Sequence, residues 1–326
     1  MKRLITMILA LAIVIAAVAC STNTPSDAEQ NGAWPMKQIT VIVPWKSGGG
    51  ADTSARLFCK YWAKELGVDI IIENREGGDG VVGTTYYEGL TQDANTVLFT
   101  AQPFFSSMIL SGNVSFGEDK FSPIGIYETD PSCIAVMPSS GWTTIEDLDA
   151  AIKAAPGEIR IGVNGGSTHL ILAKLLIEKY DWDVKLVYYS GASESRTALM
   201  GGHVEAIATT TSGCTEEFPL IVGSLERNAR YPDSPTYAEI TGDSQVFATT
   251  RMFLVDKTVT ENYPERYQKL VETFEKVFDN PEYQTDLIAA GRDSTTAFQS
   301  VEVSSQVIAA QHDLSEKYWD ILNAAG

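Results

Sequence analysis

Strand-like and helix-like segments alternate along most of this chain, and this alternation constrains its fold more than any other feature. Residues 39–43 and 159–163 are short apolar runs rich in β-branched side chains. Each is followed by a glycine-rich loop and then by apolar residues spaced three and four apart. Such runs predict strands buried on both faces, and the spacing predicts amphipathic helices. Repeated strand, loop, helix units are typical of α/β proteins.

Other segments extend the pattern. Further strands are predicted at residues 69–73, 96–100, 184–189, 203–208 and 220–222, and helices at 263–279 and 301–323. The first long helix is predicted to be capped by Asp52 or Thr53 and to end at Gly67. Thr143 and Glu146 are predicted to form a capping box. The length suits one large or two medium domains.

The N-terminus has the pattern of an exported protein. Lys2 and Arg3 precede an apolar run from residue 8 to residue 19 that stops at Cys20. The run is shorter than the roughly 20 residues of a membrane span, so a signal peptide over residues 1–19 is favoured over a transmembrane anchor. Small residues before Cys20 favour a lipid-carrying cysteine over an ordinary one. Residues 20–33 form a polar tether. We therefore predict an extracytoplasmic chain, anchored by lipid in the periplasm or on the outer face of the cytoplasmic membrane.

Charge and cysteine content exclude several classes of partner. Removal of Lys2 and Arg3 with the signal peptide leaves 22 of the 24 basic residues against 42 acidic ones, a formal charge of −20. Such a surface repels phosphate backbones, which excludes nucleic acid. The three histidines and the remaining cysteines, Cys59, Cys133 and Cys214, lack metal-ligand spacing. No metal site or cofactor is predicted. At most one disulfide can form, and the sequence does not choose the pair.

Two loops of similar design predict an anion site. The first contains Ser47, Gly48 and Gly49 ahead of Asp52 and Thr53, and the second contains Asn164, Gly165, Gly166, Ser167 and Thr168. Each loop opens a helix, whose first N–H groups are unpaired and carry partial positive charge. Glycine lets the main chain approach a ligand closely. A single such loop is more simply a tight turn, but two facing loops would hold a carboxylate.

The glycine-rich segments do not match the motifs of known enzymes. The first loop has no lysine at the P-loop position, and residues 78–83 fit a dinucleotide-binding spacing without a suitable acidic residue at a following strand end. Ser167 and His169 stand at the start of one predicted helix and point in different directions, so they do not pair as nucleophile and base, and no nucleophile-elbow motif is present. We predict a binding protein rather than an enzyme. The open alternatives are an exported enzyme that acts on a small carboxylate and a ligand-presenting sensor.

Several motifs resemble, in order, those of one family. They are residues 39–52, Glu73 to Arg75 with Gly77 to Gly80, Ser167 to Leu170, Tyr189 to Gly191, Leu199 to Glu205, and Pro235 and Thr236 with Glu239. The family is the substrate-binding proteins of tripartite tricarboxylate transporters, also called the Bug family. The resemblance implies a two-lobe, type II periplasmic-binding-protein-like fold, each lobe a mostly parallel sheet flanked by helices. We expect one lobe over residues 34–133 and 250–326 and the other over residues 134–249.

The resemblance also implies a ligand site. Gly48, Gly49, Asp52 and Thr53 match the first carboxylate-binding turn, Ser167 and Thr168 match the second, Tyr189 and Gly191 line the cleft, and Thr100 lies at a strand end that faces the ligand. The implied partners are a small carboxylate and the membrane subunits of the transporter, bound by a monomer.

This chain departs from the family pattern at two positions. Lys46 stands where a proline is usual, and Thr209 stands where many members have aspartate. Thr209 argues against an amino acid ligand, and Lys46 offers a cation to a second carboxylate. We therefore predict a di- or tricarboxylate. Arg196 is a second candidate cation, with a helix-surface role as its simpler interpretation.

Overall fold

The computed structural model describes Trp34, residues 38–189 and residues 191–323. The predicted signal peptide, Cys20 and the tether lie outside the described residues. Within them, none of the helices combines the length and the apolar character that a membrane span requires.

The first sheet combines parallel strands with a central antiparallel pair. The strand order is β2–β1–β3–β9–β4, and β10 pairs with β4. The parallel pairs are β1–β2 and β1–β3, whereas β9 runs antiparallel to β3 and β4. The bounds are β1 (Gln38–Val43), β2 (Asp69–Asn74), β3 (Thr96–Gln102), β4 (Phe121–Val136), β9 (Ala248–Asp256) and β10 (Thr296–Gln299).

The second sheet repeats this plan. Strand β5 pairs in parallel with β6 and β7, and the end of β4 runs antiparallel to β7 and β8. The bounds are β5 (Arg160–Asn164), β6 (Lys185–Tyr189), β7 (Ala206–Thr210) and β8 (Phe218–Val222). The predicted α/β class is therefore present, with antiparallel strands at the centre of mixed sheets.

Strand β4 changes its partner between Pro131 and Ser132. Before this point it pairs with β9, up to the pair of Pro131 and Ala248, and after it with β7, from the pair of Ser132 and Thr210. One strand therefore belongs to both sheets. The expected boundary between the lobes falls near this change, and the division into lobes stays a prediction.

Helices connect most of the strands. Their bounds are α1 (Gly50–Leu66), α2 (Val81–Glu88), α3 (Phe104–Leu110), α4 (Ile145–Ala154), α5 (Thr168–Tyr180), α6 (Ala192–Met200), α7 (Tyr237–Thr241), α8 (Lys257–Asn262), α9 (Pro264–Lys276), α10 (Pro281–Ala289), α11 (Val301–Lys317) and α12 (Trp319–Asn323). Short 3₁₀ turns lie at Gly78–Gly80, Glu118–Lys120, Pro138–Ser140, Thr211–Gly213 and Val277–Asp279.

The start of α1 differs from the prediction. Helix α1 begins at Gly50 with Gly49 as its N-cap, so the prediction that Asp52 or Thr53 caps it was wrong. Asp52 lies in the first turn of the helix. Its carboxylate accepts a hydrogen bond from the N–H of Gly48, which precedes the N-cap. The predicted end is correct, because Gly67 adopts a left-handed conformation with φ 74° and donates its N–H to the carbonyl of Ala63.

The capping box of α4 lies one residue later than predicted. Thr144 accepts a hydrogen bond from the N–H of Asp147, whose carboxylate accepts one from the N–H of Thr144. Thr143 and Glu146 therefore do not form the box. Both frames contain a threonine followed three residues later by an acid, so spacing alone could not separate them.

Apolar side chains fill the space between the first sheet and its helices. Phe58 and Trp62 of α1 pack on Phe253 of β9, with ring centroids 5.4 and 5.2 Å from it. Phe274 of α9 closes the cluster at 4.7 Å from Phe58. In the second half, the predicted apolar face of α5 is buried with Ile161 of β5. This packing fixes α1 and α5, whose first residues approach a common cavity.

Candidate functional site

Both glycine-rich loops line a single cavity of about 400 Å³. It lies at the carboxyl ends of β1, β5 and β6, which is where α/β proteins place their ligands. The lining residues are Trp45, Gly50, Ala51, Asp79, Ala101, Phe104, Asn164, Gly165, His169, Tyr189, Gly191, Ala192, Thr209, Thr210, Thr249 and Arg251.

Three helices of nine residues or more direct their N-termini at this cavity. Helix α1 contributes Gly50 and Ala51, α5 contributes His169, and α6 contributes Ala192 beside its N-cap Gly191. The first N–H groups of each helix have no partner within the helix and carry partial positive charge. Their convergence favours a bound anion.

Asp52 holds the first loop in place. Its carboxylate is buried and accepts hydrogen bonds from the Gly48 N–H at 2.8 Å, from Arg56 Nε at 2.9 Å and from Asn74 Nδ2 at 2.9 Å. Burial raises the pKa of Asp52, but the hydrogen bonds from Arg56, Gly48 and Asn74 outweigh it and bring the pKa below its ordinary value. The side chain is therefore ionised, and its hydrogen bonds to Gly48 and Asn74 stabilise the turn on the side away from the cavity.

The other polar side chains of the first loop also bond locally. Thr53 Oγ1 donates to the carbonyl of Gly49 at 3.1 Å, and Ser47 Oγ donates to the Asp52 carboxylate at 3.4 Å. Lys46 is exposed, and its Nζ lies 3.6 Å from Glu194 Oε1 on α6. The cavity wall here is formed by the neighbouring Gly50 and Ala51, not by the side chains that the sequence singled out.

The second loop has a similar construction. Ser167 is the N-cap of α5, and its Oγ accepts the N–H of Leu170 and donates to the carbonyl of Asn164 at 2.7 Å. Thr168 Oγ1 lies 2.9 Å from Ser132 Oγ on β4. Both residues are fully buried behind the wall formed by Asn164, Gly165 and His169.

His169 lines the cavity with a neutral ring. The side chain is 6% exposed, and neither ring nitrogen has a hydrogen-bond partner among the described residues. Burial lowers the pKa of His169 to about 4. Ser167 donates elsewhere, so the two residues do not form a nucleophile and base pair. A neutral imidazole offers one donor and one acceptor to a ligand.

The remaining predicted site residues divide into two groups. Tyr189, Gly191 and Thr209 line the cavity. Thr100 is fully buried, its Oγ1 has no partner, and its neighbour Ala101 lines the cavity instead. Arg196 bonds to Glu217 at 2.5 Å and to Thr215, which agrees with a structural role.

Sequence reasoning missed two charged residues of the cavity. Arg251 lies on β9, a strand that the sequence pattern did not predict, and Asp79 lies in the glycine-rich turn at residues 78–83, to which no binding role was assigned. Arg251 Nη1 contacts Glu128 at 3.0 Å and Asp130 at 3.4 Å. A signal for Asp79 was present in the sequence, because an acid between two glycines before a helix stands on an exposed turn.

The described cysteines are unpaired thiols. Cys59, Cys133 and Cys214 are buried, and the Sγ atoms of Cys133 and Cys214 lie 3.8 Å apart. Burial raises the pKa of the Cys59 and Cys133 thiols. No group of three or more potential metal ligands occurs among the described residues.

A cavity between two α/β sheets, lined by helix N-termini, fits the class of solute-binding proteins. Residues 54–319 match the family described as the tripartite tricarboxylate transporter family receptor, and the chain belongs to this family. The predicted family and fold class are confirmed. The family consists of solute-binding receptors, so the predicted binding role, rather than an enzymatic one, is confirmed as well.

Individual relatives agree with this assignment. Protein BugT of Bordetella pertussis is 25% identical over 217 residues, which cover 64% of this chain and 67% of BugT. A TctC solute-binding protein from Polaromonas is 25% identical, with a TM-score of 0.68 over 89% of this chain and 99% of the other. MatC from Rhodopseudomonas palustris, solved with bound malate, is 20% identical with a TM-score of 0.72, covering 89% of this chain and all of MatC, and shows a shared fold.

Proposed function

We propose that this protein is an extracytoplasmic receptor that captures a small di- or tricarboxylate and delivers it to a tripartite tricarboxylate transporter. The observation that carries the proposal is the convergence of the α1, α5 and α6 N-termini on one cavity. Their unpaired N–H groups match a carboxylate, and the family supplies the transport role.

The cavity also limits the size of the ligand. A volume of about 400 Å³ suits a small organic acid and lies at the lower end of the range for small-molecule sites. Trp45 and Phe104 contribute apolar surface, with ring centroids 5.9 Å apart, and this surface suits a short aliphatic chain between carboxylates. The malate held by MatC is an acid of this class.

Capture is proposed to involve closure of two lobes, residues 34–133 with 250–326 and residues 134–249. A ligand that contacts both lobes stabilises the closed state by its differential affinity. The transporter subunits then bind the closed form and reverse the closure. In this proposal the protein acts as a monomer and is held at the membrane by lipid on Cys20.

Calorimetry against a panel of carboxylates tests the function. Succinate, malate, adipate, citrate and tricarballylate are titrated into protein that has been unfolded and refolded to remove co-purified ligand, and mass spectrometry identifies the acid released. We expect at least one acid to bind and to raise the unfolding temperature with its concentration. Absence of binding by every acid, with none co-purified, would contradict the proposal. Turnover of a bound acid would favour the enzyme alternative.

A pair of matched variants locates the site. Ala192→Asp places a carboxylate at the first residue of α6, on the cavity wall, and should abolish acid binding by charge repulsion. Val301→Asp introduces the same residue at the first position of α11, which does not line the cavity. An acid is favourable at either helix start, so both variants should fold. Equal binding by the two variants would place the ligand elsewhere.

A further inference from the structure

Arg251 is the one lysine or arginine among the described residues that line the cavity. It lies on β9 opposite Ala101 of β3 and Glu128 of β4, and it is 8% exposed. A buried guanidinium is costly unless it is paired, and here two buried carboxylates pair with it. The positive charge is therefore held permanently in the cavity wall.

The ion pairs use only part of the guanidinium. Both carboxylates contact Nη1, while Nε and Nη2 have no hydrogen-bond acceptor among the described residues. A guanidinium carries five N–H donors in a planar fork that matches the two oxygens of a carboxylate. Since Arg251 lines the cavity and is otherwise buried, these spare donors are available to a ligand there.

The two acids do not depend on Arg251 alone. Glu128 also accepts from Ser54 at 2.5 Å and from Arg292, and Asp130 accepts from the Ser212 N–H at 3.0 Å and the Ser212 hydroxyl at 2.5 Å. Two acids and two arginines make this cluster neutral, so its attraction for a ligand carboxylate comes from the unused N–H donors of Arg251 and not from an excess of positive charge.

We propose that Arg251 binds a second carboxylate of the ligand, and that this contact selects dicarboxylates over monocarboxylates of the same length. The first carboxylate lies at the helix N-termini. This inference rests on the proposed function and assigns to Arg251 the role that the sequence suggested for Lys46. Lys46 is less suited, because its side chain is 56% exposed and its ammonium lies 3.6 Å from Glu194 Oε1.

Succinate and adipate are each compared with their monoamides, which keep the length and lose one charge. We expect the wild type to bind each diacid about 10- to 100-fold more tightly than its monoamide, the range for hydrogen bonds to a charged group. Arg251→Lys keeps the charge but loses the planar fork, and should reduce this ratio to about threefold or less.

Arg292→Lys is the matched control. Arg292 bonds to the same Glu128 carboxylate but does not line the cavity, so this variant should keep the wild-type ratio. If Arg251→Lys does not fold, the double variant with Arg251→Gln and Asp130→Asn is titrated in its place. This double variant removes one charge of each sign, so the cluster stays neutral. Circular dichroism checks each fold.

The possible failures are separable. If wild-type protein binds a diacid and its monoamide equally, or if the Arg251 variants keep the preference, the role of Arg251 is wrong and carboxylate capture stands. If wild-type protein binds no acid at all, the proposed function itself is wrong.

Discussion

Asp79 places a carboxylate on the wall of a cavity that otherwise presents helix N-termini and a guanidinium. Its backbone φ is 50°, a left-handed conformation that asparagine also adopts readily. We expect Asp79→Asn to bind a dicarboxylate about 3- to 10-fold more tightly, because one negative charge that repels the ligand is removed from the cavity wall. Calorimetry with succinate or adipate measures the change.

Asp181→Asn is the control for this effect. Asp181 has φ 53° at the C-cap of α5 and does not line the cavity, so the same substitution there should leave affinity unchanged. Although Asp79 stands on an exposed turn, partial desolvation by the surrounding protein raises the pKa of its carboxyl. The advantage of the asparagine variant should therefore shrink as the pH falls and wild-type Asp79 becomes neutral. A lower affinity in Asp79→Asn would show that the ligand carries a positive group instead.

Asp52 should stabilise the fold in a pH-dependent way. Its folded-state pKa lies below the ordinary value of about 3.9, so its stabilising contribution is complete above that pH and is lost as the pH falls through the folded pKa. Asp52→Asn removes charge-assisted hydrogen bonds with Gly48 and Arg56 and should lower the free energy of unfolding by about 1–3 kcal/mol at pH 7. Urea unfolding should show a smaller difference in the free energy of unfolding between the wild type and Asp52→Asn at pH 3 than at pH 7. An equal difference at both pH values would contradict a lowered pKa for Asp52.

At the scale of elements, the N-cap of α5 should serve both folding and binding. Ser167→Ala removes the cap and leaves the N–H of Leu170 and the Asn164 carbonyl without this partner, at a cost of about 1–2 kcal/mol. Because Gly165 and His169 flank this residue on the cavity wall, ligand affinity should fall as well. Thermal unfolding and calorimetry measure the two effects.

Ser300→Ala is the control that separates the effect of a lost helix cap on stability from its effect on ligand affinity. Ser300 caps α11 through the N–H of Val303, away from the cavity, so its loss should lower the unfolding temperature without changing affinity. Equal affinity in Ser167→Ala and Ser300→Ala would show that the orientation of the second loop is unimportant for binding.

The elements that follow local rules could be predicted from the sequence. Strands β1 and β5, their glycine-rich loops and the apolar faces of α1 and α5 follow from periodicity and turn chemistry. Strands β4 and β9 were missed, because buried polar residues such as Glu128, Asp130 and Arg251 interrupt their apolar pattern. Those residues are tolerated only because they pair with each other across the sheet, and this information is not local.

The same distinction applies to the cavity. The sequence identified the two loops, but it could not determine which residue of each loop points inward. Asp52, Ser167 and Thr168 satisfy hydrogen bonds behind the wall, while Gly50, Ala51 and His169 form it. Tyr189 ends β6 and Thr209 lies one residue before the end of β7, so both line the cavity where the sheet sets the direction of the chain; their contact with a ligand stays a prediction.

For the whole molecule, the contact between Lys46 and Glu194 joins the β1–α1 loop of the first sheet to α6 of the second. Because its side chains are 56% and 49% exposed, we expect this ion pair to contribute only about 0–1 kcal/mol to lobe closure. Lys46→Ala should therefore weaken dicarboxylate binding by no more than about fivefold, and Lys46→Glu with Glu194→Lys should restore part of the loss. Calorimetry at low and high salt measures both, since an exposed pair is screened by salt. A loss of a hundredfold or more in Lys46→Ala, without rescue by the exchanged pair, would place the ammonium on the ligand and remove the need for Arg251 as the second cation.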